Sequence, residues 1–277
     1  MIYKEEVLGN YINILSGFAF KTKDFVDVGI PIIKIKNICP PYVSLEDLTY
    51  VSKETGEKQK KFMLSYDDVL IAMTGSHINQ WASVVGRVAR VKYTEKTLLN
   101  QRVGKITVKE NADADLDYIY YFLSQDKVKV QLAAKAGGTA NQANISATHI
   151  QELVFPCPNI ETQIRISNIL IENNKKQIKL LEEAAERLYR EWFVDLHFPG
   201  HEDVKIVDGV PEGWKKQKIS EFGEIITGKT PSTTKEQYYG GNIPFVKIPD
   251  MHNCVYPIVT ESTLTTEGAN TQKNKFI

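Results

Sequence analysis

The sequence predicts an α+β protein: a globular domain of short strands and helices, then a long coiled-coil-like helix, then the start of a second copy of that domain. Three observations predict it. Residues 1–158 carry short alternating or β-branched runs separated by turn residues, with a few amphipathic helical stretches. Residues 161–193, ETQIRISNILIENNKKQIKLLEEAAERLYREWF, contain no Gly and no Pro, so nothing inside them breaks a helix. Beyond residue 213 the chain repeats the pattern with which it began.

Within the first domain, Val7 to Ser16 is expected to form a short helix ending at Gly17. Ile30 to Ile38, IPIIKIKNI, alternates and is rich in β-branched residues, which predicts a strand. Asp68 to Met73, Val84 to Val91 and Val103 to Val108 are further strand candidates. Leu116 to Val130 is predicted helical, with Ile119, Phe122, Leu123 and Val130 at apolar positions. From Ala133 to Pro158 the centre is rich in Gly, Asn, Thr and Ser and is read as a loop. Its end, ELVFPCP, is read as a strand running into prolines.

The long stretch places Ile164, Ile171, Ile178, Ala185 and Trp192 on one line of a heptad seam, with Leu181 and Leu188 on the other. Ser167 and Asn174 are the polar exceptions. A seam held over about four heptads suggests a coiled-coil face. At about 1.5 Å per residue the helix would run about 50 Å, longer than a compact domain needs. Pro156 and Pro158 punctuate one end and Pro199-Gly200 the other, so the helix reads as a spacer or interaction rod. The plainer alternative is an amphipathic helix packed on its own domain. The expected boundaries are 1–158 for the first domain, 159–194 for the helix, 195–213 for a polar linker and 214–277 for the second copy.

The repeat aligns Leu15–Ile38 with Ile226–Met251. Gly17 matches Gly228, Gly29 matches Gly241, Pro31 matches Pro244, and Lys34-Ile35 matches Lys247-Ile248. Lys61-Phe62-Met63 then matches Lys275-Phe276-Ile277. The second copy stops short of the strands that would complete the first one's core, so it is expected to be incomplete and poorly stable.

Composition narrows the function classes. Hydrophobic residues make up 42% and charged residues 25%, ordinary for a soluble globular protein. A formal net charge of zero argues against a basic, non-specific nucleic-acid coat but permits a local basic face. No apolar run is long enough to span a membrane, and the first residues have no signal-peptide pattern. Cys39, Cys157 and Cys254 lie far apart and make no CxxC pair, so neither a zinc knuckle nor a disulfide framework is indicated. A cytoplasmic protein without cofactor or metal is the expectation.

Isolated motifs do not assemble into an active site. Gly223 to Thr230, GEIITGKT, fits the P-loop pattern, but Pro231-Ser232-Thr233-Thr234 follows where a helix is needed to hold phosphate. Cys39-Pro40-Pro41-Tyr42 resembles the Pro-Pro-Tyr/Phe motif of amino-methyltransferases, but Cys replaces the polar oxygen that motif requires. Pro199-Gly200 between His197 and His201 rules out a helical metal pair. Pro249-Asp250 has no Glu-x-Lys behind it. No nucleophile, base and orienter can be grouped, so the chain is not expected to be an enzyme.

The order of domain, long helix and repeated domain resembles the specificity subunit of type I restriction–modification systems. The matching residues run the length of the chain. They include Gly17-Phe18-Ala19-Phe20, Asp24-Phe25, Gly29 to Ile35, Asp67-Asp68-Val69-Leu70 with Thr74-Gly75, and Asn100-Gln101-Arg102. Asn144-Ile145-Ser146, Pro156-Cys157-Pro158, Gln163, Trp192 to Asp195 and Phe198-Pro199-Gly200 continue the match. The resemblance implies a non-catalytic subunit in which each recognition domain reads one half of a split site in double-stranded DNA. It implies that the helices space the halves and dock the modification (methyltransferase) subunits and, through them, the restriction subunit. This chain departs from the pattern in its shortened second domain and lacks a second long helix. The resemblance also raises self-pairing of two copies through the long helix.

Four polar stretches are the candidate DNA contacts. Lys34, Lys36 and Asn37 put two lysines on one face of the predicted strand. Thr74, Ser76, His77, Asn79 and Gln80 offer donors and acceptors suited to base edges, beside Gly75 where the backbone can approach closely. Arg102 suits guanine or phosphate. Lys135, Thr139, Asn141, Gln142 and Asn144 form the fourth. A coiled-coil adaptor without DNA binding and a P-loop nucleotide-binding protein are the rival readings.

Overall fold

A computed structural model describes residues 4–75, 85–139, 142–224, 227–251 and 260–271. The chain divides into two compact units, residues 1–169 and 170–277.

The first unit is built on a six-stranded sheet with the order Ile12–Ser16, Val103–Val108, Val69–Ala72, Val88–Arg90, Tyr42–Val43, Ile38–Cys39. Val69–Ala72 is buried along its whole length because it lies inside the sheet with both faces covered. One face packs Leu8, Ile12, Val69 and Ile71 against Ile119, Leu123, Leu132, Ile150 and Phe155. The other packs Leu70 and Ala72 with Ile33, Ile38, Ala89 and Leu99. A four-stranded sheet, ordered Leu98–Leu99, Ile30–Ile33, Thr49–Val51, Phe25–Val26, adds a third core cluster around Ile32, Val51 and Leu98. Lys4–Val7 pairs with Val154–Cys157, which brings the ends of the domain together.

Several sequence expectations are overturned. Val7 to Ser16 is not a helix. It is a 3₁₀ turn, Leu8–Asn10, followed by the strand Ile12–Ser16. Tertiary pairing wins: the Leu8 amide donates to the Leu153 carbonyl at 2.8 Å, and Ile12 to Ser16 pair with Val108 to Gly104. The Ile30–Ile38 strand is interrupted at Ile35–Asn37 by a 3₁₀ turn, closed where the Asn37 side chain accepts from the Lys34 amide at 3.0 Å. Leu116 to Val130 is two helices, Leu116–Leu123 and Asp126–Ala134, and Val130 is exposed. The stretch read as a loop after Ala133 contains the strands Gly137–Thr139 and Gln142–Asn144 and the helix Ala147–Gln151.

The long helix runs Ile160–Tyr189 and continues through one π turn, Arg190–Val194. Its first turns belong to the first unit. Gln163 is fully buried: its side-chain oxygen accepts from the Asp115 amide at 3.0 Å, and its nitrogen donates to the carbonyls of Pro158 at 2.8 Å and Asp113 at 3.3 Å. Ser167, the polar exception on the seam, is buried too, whereas Ile164 on the seam is exposed. The face that packs on the domain therefore differs from the heptad line. Farther along, Ile178, Leu181, Ala185 and Leu188 are exposed, while Ile171 and Trp192 are half-buried.

In the second unit, residues 195–213 are folded. Asp208 and Gly209 both have positive φ and close a tight hairpin between Ile206–Val207 and Val210–Pro211. Trp214 contacts Phe193 and stacks on Phe198, with ring centroids 5.9 and 5.5 Å away. The second copy then reproduces the first. Ile219–Glu221 is a 3₁₀ turn like Leu8–Asn10. In the first copy Ile30, Pro31 and Ile32 pair with Val51, Tyr50 and Thr49. In the second, Ile243, Pro244 and Phe245 pair with Leu264, Thr263 and Ser262, the same register shifted by 213 on both strands. Gly29 lies where a Cβ would come within 2.0 Å of the Val51 carbonyl oxygen, and Gly241 within 2.3 Å of that of Leu264. Only a residue without Cβ fits either place.

Candidate nucleic-acid interface

Two of the stretches singled out in the sequence, the second and the fourth, meet at one strand, Thr74–Gly75. It pairs with Gln142–Asn144, which pairs with Gly137–Thr139, making a three-stranded sheet. Residues from the second and fourth candidate stretches, some seventy apart in sequence, are thus neighbours. Thr74 is buried and its hydroxyl donates to the Asn144 side-chain oxygen at 2.8 Å, while Asn144 itself is exposed. The Ile145 amide donates to the Met73 carbonyl at 2.9 Å, which fixes the far end of the ribbon.

The third stretch joins through the backbone, where the Met73 amide donates to the Arg102 carbonyl at 2.9 Å. Gln101 and Arg102 are exposed in the turn between Leu98–Leu99 and Val103–Val108. The turn is tight: a Cβ on Gly17 would come within 2.3 Å of the carbonyl oxygens of Leu99 and Asn100, which explains the glycine there. The first stretch is linked in turn, since the Asn100 amide donates to the Ile33 carbonyl at 3.1 Å.

The candidates differ in how accessible they are. Asn37 is buried, and its amide serves the turn by accepting from Lys34 and donating to the Glu46 carbonyl at 2.9 Å. Lys36 is ion-paired to Asp47, whose carboxyl is held below its usual range by that lysine. Lys34 donates to the Thr49 hydroxyl at 2.7 Å and lies 4.5 Å from the centre of the Phe25 ring. Burial, and next the charge of Lys36, lowers its pKa. Lys135 is exposed and sits 3.3 Å from Glu152, a solvent-screened pair worth little to stability. Ser76, His77, Asn79, Gln80 and Asn141 lie outside the described residues. Thr139 and Gln142 are described only as strand positions, one on each arm of the Gly137–Asn144 ribbon.

The arrangement places the exposed Asn144 of the ribbon and the exposed Arg102 of the turn on connected backbone, with polar groups of both donor and acceptor type. Sequence reasoning missed Thr49 and Ser262, the hydroxyl partners of Lys34 and of Lys247. Matching the two copies at a common shift would have found them. The P-loop pattern has no helix behind it: residues 227–235 are irregular, and the next element is the 3₁₀ turn Glu236–Tyr238. No helix among the described residues is long and apolar enough to cross a membrane.

Comparison with known proteins points to one family. A family model described as the type I restriction modification DNA specificity domain matches residues 4–189 and 211–277. The chain is 30% identical over 213 residues to the type I restriction enzyme HindI specificity subunit of Haemophilus influenzae, covering 53% of this chain and 46% of that protein. It is 26% identical over 174 residues to the MjaIX specificity subunit of Methanocaldococcus jannaschii, covering 59% of this chain and 39% of that one. Among solved structures, the HsdS subunit from Thermoanaerobacter tengcongensis matches with 16% identity and a TM-score of 0.45, over 66% of this chain and 39% of that one. The chain thus spans less than half the length of these curated relatives. With the family model matching most of its residues, the chain belongs to the type I restriction–modification DNA specificity family.

Proposed function

We propose that this chain is a sequence-specific DNA-recognition subunit of a type I restriction–modification complex. It is itself non-catalytic and directs methyltransferase and nuclease subunits to a split site in double-stranded DNA. The observation that carries the reading is the pairing of Thr74–Gly75 with Gln142–Asn144 and Gly137–Thr139 on one sheet of a family member, with the Arg102 turn tied to it through the Met73 amide. Arg102, Lys135, Asn144 and the ribbon positions Thr139 and Gln142 are the groups that reach DNA, with Lys34 and Lys36 adding charge. Thr74 acts through Asn144, whose side chain it orients.

Docking of the modification subunit uses the exposed apolar line of the long helix, Ile178, Leu181 and Leu188, large apolar groups that stand exposed among the described residues. The same line permits self-pairing. Mixing the full chain with its modification subunit and labelled duplex tests the reading. A ternary complex that weakens steeply with salt is the expected result. Failure of the mixture to bind any duplex, with the chain folded, would remove it.

A further inference from the structure

The two copies share a lysine–hydroxyl pair, of which the reading above uses only Lys34 and only as added charge. Lys34 ends the strand Ile30–Ile33 and donates to Thr49 on the neighbouring strand at 2.7 Å. Lys247 occupies the same place after Tyr239–Phe245 and donates to Ser262, the equivalent residue, also at 2.7 Å. Each lysine amide donates to the side chain three residues on, Asn37 at 3.0 Å and Asp250 at 2.7 Å. Around this pair the neighbours change. Lys36 has Pro249 at its equivalent position, and Asp47 has Thr260. The ammonium and its hydroxyl remain.

Among the described residues, neither ammonium has a carboxylate within 4.0 Å, whereas Lys36, Lys92 and Lys105 each do. An ammonium carries three donors, and the hydroxyl uses one. An aromatic ring lies near each, Phe25 at 4.5 Å and Phe245 at 5.7 Å, and each lysine feels a carboxylate, Asp47 or Asp250, only from beyond direct contact. A hydroxyl bond across the sheet does not by itself require a cation, and among the described residues no carboxylate is close enough to take the remaining donors, a place that an anionic partner fits.

We propose that Lys34 and Lys247 are equivalent phosphate contacts, one in each copy, each held in position by its hydroxyl partner to take a backbone phosphate of double-stranded DNA. The proposal rests on the DNA-recognition reading above and adds to it that the second copy binds the backbone as the first does.

The test is equilibrium binding of the full chain to a duplex of random sequence across a salt series, for wild type, Lys34→Met, Lys247→Met, the double variant and Lys34→Arg. Methionine keeps the apolar stem and removes the charge. Each methionine variant is expected to flatten the slope of log K against log salt by about 0.9, the double variant by about twice that, and arginine to restore it. Unchanged slopes with lowered melting temperatures would show that the lysines only fasten the sheet. Amine-directed acetylation of the wild-type chain gives a reading that needs no substitution. DNA is expected to protect Lys34 and Lys247, and equal labelling with and without DNA overturns the proposal. Wild type that binds no duplex defeats the DNA-recognition reading itself, whereas a binding wild type with unaltered variants defeats only this inference.

Discussion

The first and second copies fold alike locally and differ in what covers them. Leu8 and Ile219 open equivalent 3₁₀ turns, yet Leu8 is fully buried and Ile219 is 73% exposed. Ile33 and Val246 hold the same place after the same strand register, at 0% and 44% exposure. Most of the buried groups clustered with Leu8 and Ile33 come from residues 64–157, a stretch with no second-copy counterpart among these 277 residues. The difference teaches that turn closure, strand register and glycine placement are local matters, while burial is set by strands far away in sequence.

The largest effect should separate the copies at these apolar positions. Ile33→Ala is expected to cost about 2–5 kcal/mol in urea unfolding of the first unit. Val246→Ala should change stability by less than about 0.5 kcal/mol. Equal costs would mean that the second copy is buried as the first is.

Glycine substitution sharpens the contrast. Gly17→Ala forces a Cβ against the Leu99 and Asn100 carbonyls and should cost about 1–3 kcal/mol. Gly228 has no atom of the described residues within 4 Å of the same place, so Gly228→Ala should be silent. Gly29 and Gly241, by contrast, face equivalent carbonyls, and alanine at either should open its own strand pair, read as faster amide exchange in that pair alone.

Where the copies share a local device, the effects should match. Ser52 caps the helix Lys53–Lys58 by accepting from the Thr55 amide, and Thr265 caps Thr266–Asn270 by accepting from Gly268. Alanine at either should cost about 1 kcal/mol of local helix stability, measured by exchange of the capped amides.

The smallest effect is a pH dependence of the turn after the lysine, which only the second copy's turn should show. Asn37 closes the first turn and does not titrate, whereas Asp250 accepts from the amides of Glu261 and Lys247. Those two bonds, Glu261 first, hold its carboxyl below the usual range. A depressed native pKa contributes stability above the unfolded value that is lost as pH falls through the native one. The Lys247 and Glu261 amide resonances should therefore shift below the ordinary carboxylate range, and Asp250→Asn should abolish the shift.

The repeat and the long helix were legible because both are written in local pattern. Glycine, proline and lysine recur at near-constant spacing, and no helix breaker interrupts residues 161–193. Val7 to Ser16 misled because its helical reading ignored the alternation of Ile12 and Ile14, which strand pairing with Val108 and Ile106 exploits. Ser167 misled because the first helical turns answer to Gln163 and the domain surface, not to the heptad. For the candidate interface, residue type identified the stretches. The meeting of the second and fourth on one sheet depends on pairing between Thr74 and Asn144, which no local pattern encodes. The same pairing distinguishes Thr74, turned inward, from exposed Asn144, and side-chain closure of the turn withdrew Asn37.

The central claim is that the ribbon and the Arg102 turn read DNA sequence. The most direct test is selection from a randomised duplex pool by the full chain bound to its modification subunit, repeated with Arg102→Ala and Asn144→Ala. The account predicts that wild type enriches a defined sequence and that each variant relaxes particular positions of it, by about 1–3 kcal/mol for a lost bidentate contact. Enrichment of no sequence by wild type, or the same sequence from both variants at undiminished strength, would contradict it.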